Sequence, residues 1–164
     1  MVLAAIISRN GQQSVLAGVI RESFAADLPQ TPKLAHGTTL DFVWTAPRQW
    51  LAIGERAKNR DLLSKLRSRL SGIAAVFDDS DARVILRVHG PRIRDTLSKL
   101  VSIDLHRRAF HTGEAASTHA VAIALQLWQV DNRPAYDVAV ARSYAVDFWE
   151  RLVEAASEYG IEVV

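Results

Sequence analysis

The feature that most constrains this 164-residue chain is one order of elements used twice. Residues 39–44 read as a strand, Ala46-Pro47-Arg48 as a turn and residues 49–53 as the returning strand. A helix over 59–70, a stop at Gly72 and a strand over 73–78 follow. The stretch from 120 to 164 repeats the plan. It has a strand over 121–130, a turn at Asp131-Asn132-Arg133-Pro134, a strand over 135–140, an amphipathic helix over 143–159, a stop at Gly160 and a last strand over 161–164. Short turns rich in Pro, Asn and Asp join antiparallel neighbours, and a helix with one apolar stripe calls for a sheet to bury it against.

A strand and a helix precede each hairpin. In the first half the apolar segment 1–9 is a strand, and Asn10-Gly11 turns it into a helix carrying Val15, Leu16, Val19, Ile20 and Phe24 on one face. Gly18 inside that helix costs about 1 kcal/mol relative to Ala. Pro29 and Pro32 cannot continue it, and residues 30–37 read as a loop. Leu40, Phe42 and Trp44 alternate with Asp41, Val43 and Thr45, with Trp50, Leu51 and Ile53 as the returning partner. Asn59 is the expected N-cap of the second helix and Asp61 lies in its first turn. Leu62, Leu63, Leu66 and Leu70 make its buried stripe, Lys65, Arg67 and Arg69 its wet side.

Asp79-Ser80-Asp81 is a hydrophilic joint, after which the plan restarts with a strand over 83–88. Gly90 leads into a helix with Pro91 at its first position and Ile93, Leu97, Leu100 and Val101 on one face. Residues 102–117 read as irregular, with a short helical turn over 105–109. Each half is therefore strand, helix, strand, strand, helix, strand. This is a duplicated ferredoxin-like α+β fold with antiparallel sheets, its halves spanning 1–79 and 80–164 and expected to pack as one compact unit.

With 49% hydrophobic and 23% charged residues, the composition is that of a globular protein. A formal charge of +2 offers no clustered basic face, so neither nucleic acid nor a membrane is an expected partner. The absence of cysteine excludes disulfides, thiolate zinc sites and cysteine nucleophiles. The apolar start lacks basic residues ahead of its apolar run and is too short to span a bilayer, so the expected location is the cytoplasm.

Chemistry is sparse. The histidines at 36, 89, 106, 111 and 119 form neither a helical metal pair nor a Ser-His-Asp order, so no metal or catalytic residue is assigned. Asp104-Leu105-His106 sets a carboxylate near an imidazole, for which a structural contact is the simpler reading. His89-Gly90-Pro91-Arg92 reads as a helix cap before it reads as an anion site, because Pro91 removes a donor. No dinucleotide glycine fingerprint follows residue 7, 76 or 88, so no cofactor site is assigned. Trp149 and Phe148, with Tyr144, Ala145, Leu152, Val153 and Ala156, make a stripe wider than one small sheet needs. Core packing is one reading of it, and docking on another polypeptide the other. The candidate interface residues are Trp50, Arg92, Arg142, Tyr144, Phe148 and Trp149.

Several stretches together resemble the gamma-subunit family of heterotetrameric sarcosine oxidase over nearly the whole chain. They are Pro47-Arg48-Gln49-Trp50-Leu51; Gly90-Pro91-Arg92 with Asp95, Leu97 and Lys99; and Asp104-Leu105-His106 with Phe110 and Gly113. The last are Tyr136-Asp137-Val138, Arg142-Ser143-Tyr144-Ala145, Phe148-Trp149 with Leu152, and Glu158-Tyr159-Gly160. The resemblance implies a fold like the folate-binding part of aminomethyltransferases. It also implies a cofactorless structural subunit beside alpha, beta and delta subunits. FAD, FMN and tetrahydrofolate would then belong to those companions, in a complex that demethylates sarcosine to glycine. The reading that competes with it is a stand-alone tetrahydrofolate-binding protein or aminomethyltransferase-like enzyme, with anion contacts near Arg92 or Arg142.

Overall fold

Alternation along the strands and i, i+4 spacing along the helices meet on one sheet face in each half of the chain. The computed structural model describes residues 1–58 and 61–164, in two compact units, Met1–Ala82 and Arg83–Val164. The first unit runs β1 (Val2–Ser8), α1 (Gln13–Phe24), β2 (Leu34–His36), β3 (Leu40–Ala46), β4 (Gln49–Gly54), α2 (Leu62–Arg69) and β5 (Ala74–Asp78). Its strands form one antiparallel sheet in the order β2-β3-β4-β1-β5. Without the edge strand β2, this is the ferredoxin-like order.

Two helices cover one face of that sheet. Leu16, Ile20 and Phe24 of α1 and Leu62 and Leu66 of α2, with Leu70 just after it, pack on Val2, Ala4 and Ile6 of β1, Leu40 and Phe42 of β3, and Trp50 and Ala52 of β4. The register explains the selection, since Ala4 lies opposite Ala52 and Ile6 opposite Trp50, so alternate residues of neighbouring strands meet on the same side. The Trp50 indole is 1% exposed, and its N–H donates to the Pro29 carbonyl at 2.6 Å, so the ring is buried without orphaning its polar atom. Arg48, at φ 64°, turns β3 into β4 and gives its carbonyl to the Ser8 N–H.

Several expectations for this unit are corrected. Val15 is 49% exposed, because the stripe of α1 is the narrower row Leu16, Ile20, Phe24. The helix ends at Phe24, ahead of both prolines, where Ala25 adopts the left-handed conformation and its N–H bonds the Arg21 carbonyl. The expected loop over 30–37 contains β2, three residues paired with β3 and too short to show an alternation. Val43 is buried although it alternates with the core-facing residues, so β3 is covered on more than one face. The expected cap Asn59 lies outside the described residues. The helix α2 is described from Leu62, with Gly72 at φ 77° closing the turn that leads to β5.

The second unit runs β6 (Arg83–His89), α3 (Ile93–Ser98), β7 (Ala115–Ala120), β8 (Ile123–Asp131), β9 (Ala135–Ala141), a 3-10 turn (Arg142–Tyr144) and α4 (Ala145–Ala156). Its antiparallel sheet has the order β6-β9-β8-β7. Matching β7, β8, β9 and β6 to β2, β3, β4 and β1 reproduces the first unit's order strand by strand. Ile93 and Leu97 of α3 and Phe148 and Leu152 of α4 cover Leu125, Leu127, Tyr136, Val138 and Val140.

The repeat stops short at its end. The strand expected over 161–164 does not form, and Val163 and Val164 are 74% and 99% exposed. A strand exists only as part of a ladder, and this segment has no ladder partner among the described residues. Pro91 also lies outside α3, which begins at Ile93 with Arg92 as its cap. In the stretch expected to be irregular, the turn over residues 106–110 forms through Ala109 and Phe110 N–H bonds to the His106 carbonyl. From Ala115, however, the chain is strand β7, whose small and polar side chains carry no apolar alternation and which is defined by its pairing with β8.

The helix α4 is pinned to α3 at its far end. The Lys99 ammonium bonds the Glu158 carboxylate and donates to the Ala155 carbonyl at 2.8 Å. It also lies 4.7 Å from the centroid of the Tyr159 ring, with the Arg92 guanidinium at 4.8 Å. Lys99 holds the Glu158 carboxyl below its ordinary range, and Glu158 raises the Lys99 ammonium.

Two expectations follow. In urea unfolding, Phe148→Ala, which removes a fully buried ring, should cost about 3–5 kcal/mol. Its neighbour Trp149→Ala, at a site 36% exposed, should cost about 1–2 kcal/mol. The pin should also depend on pH in both directions. The depressed Glu158 pKa makes its share complete above the ordinary value of 4.5 and lost as pH falls through the lower folded value. The raised Lys99 pKa makes its share complete below 10.5 and lost as pH rises through the higher folded value. In carbon NMR titrations the Glu158 carboxyl shift should therefore have its midpoint below 4.5 and the Lys99 Cε shift its midpoint above 10.5.

Candidate docking surface

The residues proposed from sequence as an interface separate into buried and exposed sets. Trp50, at 1% exposure, and Phe148, at 0%, sit in the cores of their units and offer no surface. Arg92 is exposed but engaged within the chain, its Nε 3.1 Å from the Asp95 carboxylate and its guanidinium over Tyr159. Arg142, Tyr144 and Trp149 are exposed, the first two in the 3-10 turn that precedes α4 and the third on the helix itself.

The 3.6-residue repeat of α4 explains the split between Phe148 and Trp149, since one step along the helix turns a side chain by about 100°. Phe148, Leu152 and Ala156 face the core, while Val146, at 66%, and Trp149 and Val153, each at 36%, lie beside that stripe and face outward. Asp147, Glu150, Arg151 and Glu154 line an open groove of about 250 Å³ on the same helix.

A buried polar cluster at one end of the second sheet was not anticipated. Gln129, 1% exposed, accepts at Oε1 from the Tyr136 hydroxyl at 3.3 Å and from Arg94 at 3.4 Å, and its Nε2 donates to the Asp131 carbonyl at 2.8 Å. Its backbone N–H bonds the Glu114 carbonyl and its carbonyl accepts from Gly113, which ties the segment before β7 to β8. Burial raises the Tyr136 phenol, against the pull of the nearby Arg94 charge. The signal was in the sequence, as Gln129 continues the core-facing series Ile123, Leu125, Leu127. A polar residue in such a series has to find partners.

Bidentate bonds at 2.7 and 2.8 Å join Arg87 on β6 to the buried Asp137 on β9 and raise the arginine further. Asp104 accepts from the backbone N–H of His106 at 2.8 Å, so this carboxylate is used to shape the turn. His36 pairs with Asp41 at 2.9 Å and His111 with Glu114 at 3.3 Å, all on the surface. Among the described residues there is no group of three or more His, Cys, Asp or Glu placed to hold a metal ion, and no helix long and apolar enough to cross a membrane.

Comparison with known proteins agrees with the fold and the sequence pattern. Residues 9–158 match the model of the family described as "Sarcosine oxidase, gamma subunit family". A sarcosine oxidase subunit gamma from Corynebacterium sp. (strain P-1) is 28% identical over 148 residues, covering 88% of this chain and 71% of that protein. Its counterpart from Arthrobacter sp. is 28% identical over 124 residues, covering 75% and 59% respectively. Among solved structures, a heterotetrameric sarcosine oxidase from Corynebacterium sp. U-96 in complex with pyrrole 2-carboxylate superposes with a TM-score of 0.85 at 23% identity. That match covers 99% of this chain and 83% of that one. Aminomethyltransferase T of the glycine cleavage system of Bartonella henselae superposes with a TM-score of 0.69 at 12% identity, over 93% and 43%, a likeness of fold alone. With a family match running through both units, the chain belongs to the sarcosine oxidase gamma subunit family.

Proposed function

We propose that this chain is the gamma subunit of a heterotetrameric sarcosine oxidase, a cofactorless subunit whose role is assembly. The observation that carries this reading is the extent of the family match, residues 9–158, which includes both units rather than one motif. The companions in this reading are alpha, beta and delta subunits in the cytoplasm. FAD, FMN and tetrahydrofolate belong to them. The complex oxidatively demethylates sarcosine to glycine, forms hydrogen peroxide, and yields the one-carbon unit as formaldehyde or 5,10-methylenetetrahydrofolate. In this chain the work falls to the surface. Arg142, Tyr144 and Trp149 are assigned to the interface, Arg92 supports it by holding Tyr159, and Trp50 and Phe148 act from beneath as core.

Purification of the tagged chain from its native source tests the assignment. The expected result is co-elution with larger polypeptides that carry the yellow absorbance of flavin. Elution of the chain alone and colourless, under conditions where those polypeptides are present and intact, would contradict it.

A further inference from the structure

Three parallel rows, each spaced i, i+3, i+7, run along α4. Ala145, Phe148 and Leu152 form the row against the core. One residue further on, Val146, Trp149 and Val153 form an exposed apolar row. One residue further still, Asp147, Glu150 and Glu154 form an exposed acidic row. Each step turns the face by about 100°, so the apolar row lies between the core and the acidic row. The acidic side chains have no ion-pair partner among the described residues, although Arg151 shares their groove. Like charges three and four residues apart repel along a helix, and the one cation in the groove, Arg151, offsets only part of the three negative charges. An apolar strip with a charged rim is the anatomy of a docking face, whose centre excludes water and whose rim selects the partner by charge.

We infer that this face of α4 seats another subunit of the oxidase through an apolar patch rimmed by Lys and Arg. The inference rests on the gamma-subunit reading and adds to it a place and a chemistry. Charge selects the occupant. A second copy docked face to face would set one acidic row against its twin, whereas a basic rim neutralises the row and lets Trp149 be covered.

The test measures binding of the full chain to the remaining subunits, co-expressed without it, at low and high salt. The variants are Asp147→Lys/Glu150→Lys/Glu154→Lys and, separately, Trp149→Ala. Lys65→Glu/Arg67→Glu on α2 is the control, and matched circular dichroism spectra establish that each variant is folded. The triple reversal should weaken binding on the order of a hundredfold and the control should leave it within about twofold. Salt should weaken the wild type more than the reversal. Trp149→Ala should lower affinity on the order of tenfold or more at both salt concentrations. A triple reversal that binds like the wild type, or a control that loses as much, overturns the inference while the subunit reading stands. A wild-type chain that fails to bind the flavin-containing subunits at all overturns both.

Discussion

An antiparallel sheet with one strongly apolar face has to be covered, and in each unit two helices do the covering. Everything else in the fold is arranged around that requirement. In the first unit Ile6, Phe42 and Trp50 face α1 and α2, and in the second Leu127, Tyr136 and Val138 face α3 and α4. Burial of such side chains contributes roughly 1.5–3 kcal/mol each, more than the local propensities of short helices supply. The six-residue α3 would not persist alone, since isolated helices of fewer than about twelve residues are marginal in water. It is held by Ile93 and Leu97 beneath it and by the bonds that tie Lys99 to Ala155 and Glu158.

Where a segment's structure is set by its own periodicity, the sequence was legible. The two hairpins, the stripe of α2 and the stop at Gly72 could be read from residues close together. Segments whose structure depends on distant pairing were not. Leu34–His36 and Ala115–Ala120 are strands only because β3 and β8 run beside them, and their own side chains give no alternation. The reverse error occurred at 161–164, where Ile-Glu-Val-Val has the composition of a strand but no ladder partner among the described residues. Helix ends failed for a related reason. Pro29 and Pro32 are strong breakers, yet α1 had already ended at Ala25 through a left-handed residue with no glycine to mark it.

The candidate surface was half legible. A run of Phe148 and Trp149 reads as two anchors in a list of aromatic residues, but the helical repeat sends one into the core and leaves the other at the rim. Trp50 is a similar case, its indole N–H satisfied by Pro29, from a loop between α1 and β2 that no local pattern connects to it. Most titratable groups with clear shifts are accounted for by structural partners: Arg87 by Asp137, Asp131 by Arg133, and Lys99 and Glu158 by each other. Such pairs fix the surface in place. The acidic row of α4 has no ion-pair partner among the described residues, and it adjoins the exposed apolar side chains of the same helix.

That this chain acts by being docked upon is a claim that solvent labelling of one side chain can test. Hydroxyl-radical oxidation of Trp149 should be measured in the free chain and in the complex formed with the flavin-containing subunits. The claim predicts that modification of Trp149 falls severalfold on assembly while that of Phe77, 51% exposed on β5 of the other unit, changes less. Equal modification of Trp149 in both states would contradict it.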